Sequence, residues 1–71
     1  MSPKSLRFTA RQIIKIIETK GFFLSRQSGS HMIFYNAKGI RITIPKHASK
    51  IIHPKILKNI LRDAEIEEGS L

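Results

Sequence analysis

Hydrophobic positions recur along this chain with two different periods, and the change of period marks out its elements. Ala10, Ile13, Ile14 and Ile17 fall at i, i+3, i+4 and i+7, with Arg11, Lys15 and Glu18 turned the other way. That spacing predicts an amphipathic helix over residues 9–20. Thr9 followed three residues later by Gln12 has the form of a capping box at its start, and Gly21 supplies a left-handed stop at its end.

From Phe22 to Asn36 the chain is rich in aromatic and β-branched residues, broken in the middle by Ser28-Gly29-Ser30, which reads as a hairpin. Ala37-Lys38-Gly39 makes a second turn. Ile40, Ile42 and Ile44 then alternate with Arg41 and Thr43 in the period of a half-buried strand, and Pro45 ends it. Phe34 and Tyr35 must face opposite sides of their strand, as must Met32 and Ile33; the pattern leaves open which of each pair is core. Residues 45–52 form a connecting loop exposing Lys46, His47 and Lys50, after which Pro54 suits the first position of a second helix. Ile56, Leu57, Ile60, Leu61 and Ala64 share one arc of that helix, and Lys55, Lys58 and Arg62 share the opposite one.

The order is α-β-β-β-α. Three antiparallel strands cannot hide an apolar face alone, so both helices are expected on one side of the sheet, leaving the other to solvent. This α+β layout is that of the double-stranded RNA-binding domain, which meets A-form helices mainly through phosphates and 2′-hydroxyls.

Charge adds a partner class. The 71 residues carry 13 Lys and Arg against 5 acids, and Glu18 is the only acid before Asp63. Residues 1–62 therefore hold +12 and the last nine residues −4. Such a field attracts a polyanion, nucleic acid above all. The size, 8.1 kDa, is that of one domain, 1–71, with a core over about 9–66, a short flexible N-terminal segment and an acidic tail from 67. The absence of cysteine excludes disulfides, thiolate metal sites and a Cys nucleophile. No apolar run approaches the roughly 20 residues of a membrane span, so a cytoplasmic protein without membrane contact is expected.

With one acid in the body, paired-carboxylate catalysis and acidic two-metal sites lack their residues, and no metal or other cofactor is expected. The proton carriers near neutral pH are His31, His47 and His53. His31 follows Gly29-Ser30 directly, at a strand end, where a side chain stays accessible while the sheet holds its backbone. Acting on RNA, its imidazole could take the 2′-hydroxyl proton or protonate the leaving 5′-oxygen. His47 sits in the basic loop as a phosphate contact or second proton carrier, and His53, before Pro54, suits a helix cap. Lys46, Lys50, Lys55, Lys58 and Arg62 are the candidate phosphate contacts, from charge and helical phase.

The run Lys20-Gly21-Phe22, then Arg26-Gln27-Ser28-Gly29-Ser30-His31 and Ile33-Phe34, resembles the HicA family of toxin ribonucleases. The resemblance continues through Ile42-Thr43-Ile44-Pro45-Lys46-His47 and the closing helix from Ile56 to Ala64, covering roughly residues 9–66. It implies an mRNA-cleaving toxin of the double-stranded-RNA-binding fold, held in check by a HicB-type antitoxin. The family's catalytic histidine falls on His31, with Gly29 and Ser30 positioning it, and its histidine after the third strand on His47. Two departures stand out: Lys55-Ile56 where the family often has Gly-Thr, and Ala64-Glu65-Ile66 where it often has Ala-Gly-Ile. The competing readings are a non-catalytic double-stranded-RNA-binding module of the same fold and a protein-interaction domain whose basic face meets an acidic partner.

Overall fold

A computed structural model describes residues 7–46, 50–67 and 69. Residues 1–6, His47 and most of the tail lie outside the described residues. The elements follow the expected order: α1 (Ala10–Glu18), β1 (Phe23–Ser28), β2 (His31–Tyr35), β3 (Arg41–Pro45) and α2 (Pro54–Asp63). The strands form one antiparallel sheet in the order β1-β2-β3.

Local chemistry sets the helix ends. The Thr9 hydroxyl accepts from the Gln12 N–H at 3.2 Å while the Gln12 side chain accepts from the Thr9 N–H at 2.9 Å, completing the capping box. At the far end Phe22 N–H reaches the Ile17 carbonyl and Gly21 N–H the Glu18 carbonyl, a Schellman closure that needs the positive φ of 91° found at Gly21. α2 closes the same way, through Ile66 to Leu61 and Glu65 to Arg62, but with Glu65 rather than glycine at φ 59°.

One side of the sheet carries both helices. Phe34, Ile42 and Ile44 meet Ala10, Ile13 and Ile17 from α1 and Leu57, Ile60, Leu61 and Ala64 from α2, with Phe22, Ile52 and Ile66 closing the edges. Each fully buried aliphatic or aromatic side chain here contributes about 1.5–3 kcal/mol. No polar side chain is buried among the described residues. The strand choices left open resolve as Phe34 in the core and Tyr35, half-buried, on the helix-free face. Ile56, placed on the buried arc of the second helix, is in fact 39% exposed. Leu57, Ile60, Leu61 and Ala64 centre the buried arc about 90° away from it, leaving Ile56 on the flank at 3.6 residues per turn.

The isolated bridge between Thr9 and Ile51, with Ile52 N–H donating to the Phe8 carbonyl at 2.8 Å, ties the approaches to the two helices together. Both helix N-termini, the β1–β2 turn and the end of β3 therefore gather at one end of the molecule. Among the described residues no helix is long and apolar enough to cross a membrane.

Candidate active site

Gly29 and Ser30 form a two-residue turn between Ser28 and His31, which pair directly. Gly29 has φ 59° and Ser30 does not enter the positive range, the pattern of a type II′ turn, in which only the first central residue needs that conformation. A Cβ added at Gly29 would meet nothing within 4 Å, so glycine is required there by its backbone and not by space. The turn is tied to the opposite edge by Lys46, whose N–H donates to the Ser30 carbonyl at 2.6 Å.

His31 is exposed at the start of β2. It stands across from Ser28 on β1 and Pro45 on β3, and residues directly opposite share a face. Met32 packs against the core, so His31, Ile33 and Tyr35 point to the helix-free side. The next row along that face is Arg26–Ile33–Thr43, about 7 Å on, and the third is Phe23–Tyr35–Arg41. Arg26 reaches this face only because pairing shifts between Leu24 and Arg26, leaving Ser25 as an extra residue. In an unbroken strand Phe23 and Arg26 would point to opposite sides.

The structure brings the other expected site residues together only in part. Gly29 and Ser30 adjoin His31, whereas Lys46 reaches them through its backbone and turns its side chain into the groove beside α1. Pro45, Lys50, Ile51, Ile52 and His53 line a hollow of about 140 Å³, which joins the His31 row to the start of α2. His53 is a cap: its Nδ1 accepts from the Lys55 N–H at 3.1 Å, satisfying one of the orphan donors of α2. Lys55, Lys58 and Arg62 are exposed along α2, in the helix layer, with Lys55 at the His31 end and Arg62 about 10 Å further along the axis, 3.8 Å from the Asp63 carboxylate. Lys58 and Arg62 are thus separated from His31 by the thickness of the sheet.

Sequence reasoning did not single out Arg26 as a site residue, because its face depends on the bulge at Ser25. Nor did it find the groove of about 360 Å³ between α1 and the sheet, where Ile14 and Met32 lie beneath Arg11, Lys15, Glu18 and Lys46. Among the described residues no three His, Asp or Glu side chains converge as a metal site would require.

The resulting site is an accessible imidazole at a strand end, with Arg26 in the next row of its face and no acid in its row or the next. Comparison with curated proteins finds no match. Residues 10–66, most of the chain, match the family model described as HicA toxin of bacterial toxin-antitoxin systems. The chain belongs to the HicA toxin family.

Proposed function

We propose that this toxin is an endoribonuclease of the mRNA interferase type, working without a metal and using His31 as its essential general acid/base. The observation that carries this reading is the placement of His31: exposed, at the end of a central strand, opposite Ser28 and Pro45, with Lys46 bonded through its backbone to the preceding residue.

In the reaction, the neutral imidazole removes the proton from a ribose 2′-hydroxyl, and that oxygen attacks the adjacent phosphorus. The bond to the 5′-oxygen breaks, and that oxygen takes a proton from the second carrier as it leaves. The products are a 2′,3′-cyclic phosphate and a 5′-hydroxyl end. Each proton transfer typically contributes about 10²–10⁴ in rate. Arg26, in the next row of the same face, opposes the charge that builds on the phosphorane oxygens. His47, which lies outside the described residues, is the second proton carrier in this scheme, and Lys50 and Lys55 extend the phosphate path toward α2.

The whole chain acts as one domain, with its core over about 9–66. Its partner is a HicB-type antitoxin that silences the toxin by covering His31; a basic face draws an acidic partner as readily as it draws RNA. Both encounters take place in the cytoplasm.

Incubating the purified chain with end-labelled RNA in EDTA tests the proposal. Cleavage leaving 5′-hydroxyl ends is expected. RNA that is bound but intact, both alone and with translating ribosomes present, would replace this reading with a non-catalytic RNA-binding module of the same fold.

A further inference from the structure

The helix-free face of the sheet carries more than His31. Phe23, 55% exposed, stands across from Tyr35, which stands across from Arg41, so two aromatic rings and a guanidinium form one row on the open side. Arg26 lies in the row between them and His31. Ile33, at the centre of the face between Arg26 and Thr43, is only 9% exposed. What this face shows to solvent is therefore aromatic and cationic rather than aliphatic. None of its residues is acidic: Phe23, Arg26 and Ser28 come from β1, His31, Ile33 and Tyr35 from β2, and Arg41, Thr43 and Pro45 from β3.

An exposed phenylalanine on an edge strand favours aggregation unless something uses it. Aromatic faces flanked by arginines suit unpaired nucleobases, since every base offers a π-face and a backbone of phosphates for the cations. A duplex keeps its bases stacked inside and offers such a row nothing to hold. Tyr35 lies four residues from His31 on the same strand and the same face, about 13 Å away. A strand with a base resting on Phe23 or Tyr35 would run past Arg26 toward the imidazole.

Resting on the ribonuclease reading above, we infer that Phe23 and Tyr35, flanked by Arg26 and Arg41, form a base-stacking platform for single-stranded RNA that leads the chain to be cut toward His31. Lys58 and Arg62 of the basic α2 stripe lie in the other layer, so this path is separate from them. Phe23 and Tyr35 are positioning residues here; the proton transfers remain with His31.

The test uses the full chain with His31→Ala, so that RNA stays intact, and two changes at Phe23. The sequence contains no tryptophan, so Phe23→Trp installs the chain's single tryptophan in the row, excited selectively over Tyr35. Phe23→Leu keeps apolar bulk and removes the ring. With a short single-stranded oligoribonucleotide, Trp emission is expected to quench on binding, and Phe23→Leu to weaken binding about fivefold or more. With the same sequence annealed to its complement, neither effect is expected.

Binding without quenching, or equal affinities for Phe23→Leu and its parent, overturns the platform; if the protein with His31 intact still cuts RNA, the ribonuclease reading survives. A Phe23→Leu that binds RNA normally but no longer binds its antitoxin makes the row a protein-docking surface and likewise overturns it. Failure to bind RNA at all overturns both readings. Phe23 lies outside the core, and circular dichroism of each variant confirms that the fold is intact.

Discussion

Lys46 donates its backbone N–H to the carbonyl of Ser30, so the first residue beyond β3 holds the residue immediately before His31. Backbone and side chain have separable roles in this arrangement. Lys46→Ala keeps the N–H and removes the charge. We predict unchanged stability in urea and a slope of log affinity against log salt shallower by about 0.7, the share of one phosphate contact on a single strand. Arg62→Ala, on the far layer beside Asp63, is predicted to change the slope less. Equal effects would mean that RNA does not favour the His31 end.

Gly29 holds a positive φ with open space around it. Gly29→Ala therefore introduces backbone strain without a clash, predicted to cost about 1–2 kcal/mol in denaturant unfolding. Because the strain sits two residues from His31, RNA cleavage should fall more than RNA affinity does. A variant as stable and active as the parent would remove the turn from the account.

The two described histidines separate cleanly. His53→Ala removes the cap on α2 and is predicted to cost about 1 kcal/mol, with cleavage retained in the folded fraction. His53→Asn restores the capping acceptor and should recover most of that loss. Abolished cleavage in well-folded His53→Asn would give His53 a chemical role.

Glu65 occupies the left-handed position that closes α2, at φ 59°, where glycine carries no penalty. Its ion pair with Lys38, 3.9 Å apart and exposed at both ends, offsets little. Glu65→Gly is predicted to stabilise the fold by about 1 kcal/mol, which for a domain of this size raises Tm by roughly 4–8 °C in a thermal melt. This gives physical meaning to the Ala64-Glu65-Ile66 departure from the Ala-Gly-Ile often seen in the family. An unchanged or lower Tm would contradict it.

Features governed by local rules were legible in the sequence. The Thr9–Gln12 box, the Gly21 stop, the alternation of Ile42 and Ile44, and the Gly29-Ser30 turn each depend on a few neighbouring residues. The position of His31 after that turn followed from the same local chemistry. Phe34 and Tyr35 could not be assigned to faces from one strand, since alternation carries no sign until the helices choose a side. Arg26 was hidden more deeply, because a single extra residue at Ser25 inverts the parity of β1 and no alternation rule announces it. The basic arc of α2 was read correctly as an arc. Its separation from His31 by the sheet is a property of packing, so three of the expected phosphate contacts divided between the site end and the far layer.

The most direct test of the central claim compares wild type with His31→Ala in single-turnover RNA cleavage in EDTA, with RNA affinity measured on both. The account predicts that His31→Ala binds RNA as its parent does while cleavage falls by about 10² or more. Cleavage by a folded His31→Ala at the parent rate would contradict it and move the chemistry away from the hairpin end of the sheet.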